Sequence, residues 1–304
     1  MDFSVRGCLA ASFLTTRRQT GGSQVAYTWR RMEPAALWLL LLTLVATALF
    51  AGVLAGLLGV GGGIVLVPVL DVALRTGGVS PDWSMHVAVA TSLATIIPTA
   101  IASSRAHAAR GAIDWSTVRA WAPGMLLGAL VGSLLAARVA DATLAAVFGV
   151  VAAIVAIKMF LPLDHLRVAQ AVPHGIGGNT IAAAIGGLSA MMGIGGGTLS
   201  VPAMTLTGGP IHQAVGTAAF FGLFIALPGT LGYLLATPAA VLPPFTIGLV
   251  SLAALAIVAP CTMLTAPLGA RLAHSLPRRR LSQAFGVFLA LVAARMLYRA
   301  WTSL

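Results

Sequence analysis

From Val168 to Ala270 the chain carries no Asp, Glu, Lys or Arg. The ionisable side chains of that run include His174, His212 and the weakly acidic Cys261. A water-soluble domain has about one charged residue in four. Here charged residues make up 8% of 304 and hydrophobic ones 59%, with a mean hydropathy of +0.97. That balance excludes a soluble fold and fits an integral membrane protein. In hydrocarbon every backbone N–H and C=O must be paired within protein, which leaves helices or a closed barrel. Continuous apolar runs such as "ALWLLLLTLVATALF" from Ala36 show no strand alternation, so helices are expected.

The same composition narrows function. The formal net charge of +11 suggests a nucleic-acid partner, but the arginines lie between apolar segments, as orientation signals do, and line no polar face. The two cysteines, Cys8 and Cys261, stand in unrelated contexts, so neither a disulfide framework nor a cysteine-based metal site is expected. No HExxH, GxSxG or metal-spaced His and Cys set occurs, and no ATPase domain follows. Asp71 and Arg75 read as single charges beside a short element, and Asp114 and Arg119 as flanking the start of a helix. The chain is therefore expected to be no enzyme and to need no cofactor or metal.

Into this apolar background the sequence sets helix breakers twice, as "GVGGGIVLVP" from Gly59 and "GIGGGTLSVP" from Gly193. In a helix a glycine costs about 1 kcal/mol relative to alanine and a proline about 3. Spanning helices need about 20 apolar residues, and candidates cover 36–57, 84–104, 119–137, 143–161, 175–192, 213–235, 245–268 and 281–300. Two leftover pieces, 62–74 and 196–207, follow the glycine clusters. Each reaches only about 20 Å into a core of roughly 30 Å. The expected fold is all-α and membrane-integral, with about eight full-length helices and two short broken or re-entrant segments, ten in all. Trp38, Trp83, Trp115, Trp121 and Trp301 fall near segment ends, as interfacial belts require.

The breakers belong to a duplication. "HVAVAT" from His86 pairs with "HQAVGT" from His212, and "FGVVAAIVAIKM" from Phe148 matches "FGVFLALVAARM" from Phe285 at seven of twelve positions. In constant order, these pairs divide the chain into repeats over 36–161 and 175–301, joined by a cytoplasmic linker over 162–174. The basic loop of the first repeat, "SSRAHAARG", has the uncharged counterpart "ATPAAVLPP"; that of the second, "RLAHSLPRRR", pairs with "RVADA". The positive bias thus changes sides, as inverted repeats require. Ten crossings with both termini outside put Arg105, Arg110, Arg167, Arg271 and Arg278 to Arg280 in the cytoplasm. The leader over 1–31, with Arg17, Arg18, Arg30 and Arg31, fits that topology only if translation starts at Met32.

A broken helix frees backbone groups that a bilayer tolerates only inside protein or beside a water-filled cavity. The helix restarting after the glycines aims its first N–H groups and its positive dipole end at the break, where an anion can bind without a cationic side chain. The alternative is close helix packing, with glycine serving only to let backbones approach. Paired interrupted segments in corresponding positions favour a transport site. The candidate binding residues are Gly61, Gly62, Gly63, Pro68, Gly195, Gly196, Gly197 and Pro202, with the nearby hydroxyls of Thr91, Ser92 and Thr217. His86 and His212 are candidates for proton coupling, although a histidine at the start of a helix also suits an interfacial position.

The paired glycine motifs, the "HVAVATS" and "HQAVGTA" stretches, "RGAID" from Arg110 and "APLGARLA" from Ala266 resemble the TauE/SafE (TSUP) family of sulfite exporters over about residues 40–300. The resemblance implies a multi-pass permease of the bacterial inner membrane, usually exporting small sulfur-containing anions such as sulfite, sulfoacetate or related sulfonates. By position, Gly61 to Gly63 with Pro68 and Gly195 to Gly197 with Pro202 match the family motif. The expected partners are a small anionic solute and the lipid bilayer, with no nucleic acid; a homo-oligomer stays open. A carboxylate permease, an importer and a non-transporting assembly protein are the competing readings.

Overall fold

The computed structural model describes residues 34–58, 62–77, 79–160, 172–173, 175–236, 242, 245–272 and 278–302. The leader 1–31, the start at Met32, Gly61 and Arg167 lie outside the described residues, as do the side chains of Arg278 to Arg280. Ten helices occur among the described residues. They are α1 (Pro34–Leu58), α2 (Gly63–Thr76), α3 (Ser84–Ala108), α4 (Trp115–Ala136), α5 (Asp141–Phe160), α6 (Gly175–Met192), α7 (Gly197–Leu206), α8 (Ile211–Leu234), α9 (Leu252–Leu272) and α10 (Arg278–Thr302). A two-residue antiparallel ribbon, β1 (Thr246–Ile247) with β2 (Val250–Ser251), precedes α9. Helices α3, α4, α5, α8 and α9 are each long and apolar enough to cross a bilayer. The protein is an all-α, multi-pass membrane protein, and the two short helices stand where the glycine clusters put them.

Apolar and polar side chains are arranged for lipid, not for water. Trp38, Leu127, Ile154, Leu264 and Leu291 face outward, while Thr91, Ser92, Thr95, Thr99 and Ser103 of α3 are buried. A threonine hydroxyl in hydrocarbon needs a partner. Thr99 Oγ1 donates to Thr95 O and lies 2.7 Å from Thr262 Oγ1 of α9. Trp38, Trp115 and Trp301 are exposed, as the belts predict. Trp121 is not: it is fully buried, stacks on Phe221, and donates from Nε1 to Pro173 O at 2.9 Å. The expected start of α9 at 245 is also corrected, because residues 245–251 turn through Gly248 at φ +55° to form the ribbon and the helix begins at Leu252.

Hydrogen bonds between helix ends fix the direction of each pass. His107, at the end of α3, lies with Nε2 3.1 Å from Gly56 O near the end of α1. At the opposite end of the bundle, Arg75 and Asp71 of α2 bond Ser84 at the start of α3. The chain therefore travels from one end of the bundle to the other between Leu58 and Thr76. Near the His107 end, Trp121 reaches Pro173 before α6, and Asp114 N–H reaches Thr217 in α8. Helices α6 and α8 thus both start at the end where α1 and α3 finish. Helices α6 and α8 therefore run opposite to α1 and α3.

Two seams of small residues hold this arrangement. A Cβ on Gly124, Gly128 or Gly132 of α4 would overlap the carbonyl oxygen of Asn179, Ala183 or Gly187 of α6. In the matching seam, a Cβ on Gly56 of α1 would overlap Ala266 O of α9, and one on Gly269 of α9 would overlap Val53 O. Backbones this close gain dispersion contacts that lipid cannot replace. We expect Gly128→Leu and Gly269→Leu each to destabilise the fold by about 2–4 kcal/mol, whereas Leu127→Ala on the lipid face changes it by no more than about 0.5 kcal/mol. Thermal unfolding in detergent measures both.

Candidate functional site

Gly62 adopts a left-handed conformation, φ +72°, that side chains resist, and its carbonyl starts α2 by accepting from Val65 and Leu66 N–H at 3.1 Å. Gly193 does the equivalent at the end of α6, with φ +67° and Ile194 N–H donating to Ser189 O at 2.9 Å. Gly196 lies before α7 and its carbonyl accepts from Ser200 N–H at 2.9 Å. No side chain caps α2 or α7. Pro68 and Pro202 lie inside these helices, where each leaves the carbonyl four residues earlier, Ile64 or Thr198, without its helical donor.

The two breaks meet. A Cβ on Gly63 would overlap Gly193 O and come within 2.9 Å of Ser92 Oγ and 3.0 Å of Ile194 Cα. Ser92 Oγ donates to Gly193 O at 2.8 Å, so a hydroxyl from α3 satisfies the carbonyl that the second break exposes. Gly195 and Gly197 are buried beside it, and Gly196 packs against Phe221 and Ala218 of α8. Of the candidate residues, Gly63 and Ser92 thus meet at Gly193 and Ile194, whereas Gly62 lies against Ala51 of α1. Thr91 and Thr217 do something else. Thr91 Oγ1 accepts from Ser251 N–H at 3.0 Å and Thr217 Oγ1 from Asp114 N–H at 2.9 Å, so each ties its helix to the start of a helix in the other half.

Beside the second break the structure adds polar groups that the motif alone does not single out. Ser189 and Thr198 are buried, their hydroxyls have no hydrogen-bond partner among the described residues, and with Val151, Met192, Ile194 and Leu199 they line a crevice too narrow for water. Ser200 Oγ, on the same short helix, is likewise buried and unpartnered. The signal was present in the chain: Thr198 and Ser200 stand where the first motif has Ile64 and Leu66.

The histidines part company. His212 is exposed at the start of α8, whereas His86, at the start of α3, is buried among protein groups at 2% exposure. The reading of Asp71 and Arg75 as single charges is corrected too. Asp71 accepts from Ser84 Oγ at 2.7 Å and pairs with Arg75 Nε at 3.3 Å and Arg299 Nη1 at 3.0 Å. Arg299 Nη2 also bonds Asp141 Oδ2, and Asp141 Oδ1 accepts from Met85 N–H at 2.8 Å and lies 3.3 Å from His86 Nδ1. Unpaired, such charges would not tolerate burial; together two carboxylates and two guanidiniums balance.

Asp114 precedes α4 and caps it, accepting from Ser116 and Thr117 backbone and hydroxyl donors at 2.6–3.4 Å. Partial burial pushes its carboxyl up, but those hydrogen bonds together outweigh it and hold the group below its ordinary 3.8. Replacing Asp114 by alanine should cost about 1 kcal/mol. Because the folded-state value is depressed, that contribution is complete above the unfolded value and disappears as pH falls through the folded one. Thermal unfolding of Asp114→Ala and the unaltered protein should therefore differ at neutral pH and converge in strong acid. Ser92→Ala should cost about 1–3 kcal/mol at any pH, because it strands a buried carbonyl; the same melts test it.

The family described as "Sulfite exporter TauE/SafE" matches residues 44–296 of the chain. A "Probable membrane transporter protein" of Haemophilus influenzae is 34% identical over 264 residues, which cover 84% of this chain and 97% of that protein. A "Probable membrane transporter protein" of Xylella fastidiosa is 28% identical over 261 residues, 82% of this chain and 92% of its own. The "Probable membrane transporter protein YunE" of Bacillus subtilis is 28% identical over 215 residues, covering 63% and 77%. No solved structure matches significantly. With nearly its whole membrane region matched, the chain belongs to the TauE/SafE family.

Proposed function

We propose that the protein is a secondary transporter of the bacterial inner membrane that exports small sulfur-containing anions, such as sulfite, sulfoacetate or related sulfonates. Two homologous inverted repeats, 36–161 and 175–301, form it, and the end of the bundle bearing Arg105, Arg110 and Arg271 faces the cytoplasm. The relatives' names as membrane transporters and the family's description as sulfite exporters support this reading. The observation that carries it is the meeting of the breaks: Gly63 lies against Gly193 O, and beside them α7 begins uncapped among the unpartnered hydroxyls of Ser189 and Thr198.

The chemistry suits a sulfonate or sulfite. Oxygen acceptors on a tetrahedral or pyramidal sulfur match several converging O–H and N–H donors, and the N-terminal dipole of α7 favours negative charge without a fixed cation. An ammonium at that depth would bind the anion tightly and slow its release. The crevice is closed in this conformation, so the anion enters only when the helices around the breaks separate, in alternating access.

Purified protein in liposomes tests this with sulfite, sulfoacetate, sulfate, acetate and lactate, with and without a proton gradient. We expect flux of sulfite or a sulfonate, reduced about tenfold by Thr198→Val, in line with the loss of a buried hydrogen bond of about 1.4 kcal/mol, and abolished by Gly196→Leu in protein that still folds. Flux of carboxylates alone would replace the substrate class. Loss of assembly in Gly196→Leu with no flux of any solute by the unaltered protein would favour a packing role for the glycines.

A further inference from the structure

The ion cluster between α2, α3, α5 and α10 has no counterpart in the second half. In the registers of the matched stretches, Asp71 corresponds to Thr205 by the glycine motifs, buried His86 to exposed His212 by the HVAVAT and HQAVGT pair, and Asp141 to Arg278 by the match of Phe148 with Phe285. It is therefore not part of the repeated architecture and calls for its own account.

His86 supplies one. Its Nε2 lies 3.0 Å from Val139 O. A carbonyl only accepts, so Nε2 carries the hydrogen. In the neutral ring Nδ1 is then a bare lone pair, and it is buried, has no hydrogen-bond donor among the described residues, and faces Asp141 Oδ1 at 3.3 Å. Lone pair against carboxylate is repulsive; a proton on Nδ1 turns the contact into a charge-assisted hydrogen bond. We propose that His86 Nδ1 is a proton-binding site whose occupancy controls how firmly Arg299 ties α10 to α2 and α5.

The coupling runs through Asp141. Its Oδ1 serves Met85 N–H and His86; its Oδ2 serves Arg299 Nη2 and, at 3.7 Å, Arg75 Nη2. The charged groups facing the ring or its partners are thus Asp71 and Arg75 from α2, Asp141 from α5, and Arg299 with Arg295, one turn before it, from α10; Ser84 bridges, and the Trp83 ring lies tilted to that of His86 at a 5.2 Å centroid distance. With His86 neutral, two carboxylates balance two guanidiniums. A proton on His86 gives Asp141 a third cationic partner and leaves one positive charge in excess, and Arg299, one turn from the end of α10, relieves it by loosening its hold. Arg75, 30% exposed, is where the cluster meets water.

The test uses detergent-solubilised protein labelled with 15N-histidine, with His86 assigned by its loss in His86→Gln. At high pH His86 should give the shifts of the Nε2–H tautomer, and in acid its Nδ1 should carry a proton. Hydrogen exchange at the last turn of α10, corrected for intrinsic pH dependence, should be roughly tenfold faster at the acid end and lose that pH response in His86→Gln. An Nδ1–H tautomer at high pH, or no titration, overturns the proton site in the unaltered protein, whatever the variants do. A pH response of α10 that survives in His86→Gln overturns its link to Arg299. Neither readout uses solute flux, so the inference fails separately from the transport reading.

Discussion

The bond from Ser92 Oγ to Gly193 O is the interaction on which the central arrangement depends. A chain that interrupts its helices inside hydrocarbon has to find partners for the released backbone groups within the protein. Here the second break exposes a carbonyl, a hydroxyl on α3 answers it, and the first break supplies the glycine, Gly63, that lets the chains come close enough. Removing any one of the three leaves the others without a reason. The breaks are thus mutually supporting, and this explains why they recur in the same form although each alone costs helix stability.

Much of this was legible in the chain because membrane constraints leave few alternatives. Uninterrupted apolar length announces each helix, and "GVGGG" and "GIGGG" announce the breaks, so α2 and α7 begin within a residue of the expected positions. The ribbon before α9 was not legible, since residues 245–251 are as apolar as the helix that follows and only Gly248 hints at a turn. At the site, periodicity shows that Thr91 and Thr217 are equivalent, but not that their oxygens would be taken by the N–H groups of Ser251 and Asp114. Those partners come from the opposite half and from loops, where pattern is weakest.

The ion cluster escaped for a different reason. Comparison of repeats finds what the halves share, as with His86 and His212, whereas Asp71, Asp141 and Arg299 are what they do not. Each charge looks like an isolated surface residue until the fold brings the end of α10 back to the start of α5. Burial of Asp71 and His86 is invisible to local hydropathy, because it is the partner from the far end of the chain that makes burial tolerable.

The small-residue seams carry a mechanical consequence. The tightest backbone contacts join α4 to α6 and α1 to α9, and each of these pairs takes one helix from either half. Helices in carbonyl-to-glycine contact slide or separate least. A rearrangement that preserves these contacts carries α4 with α6 and α1 with α9, so the bodies that shift in it are composites of both halves, and its moving parts divide the molecule differently from the sequence repeat.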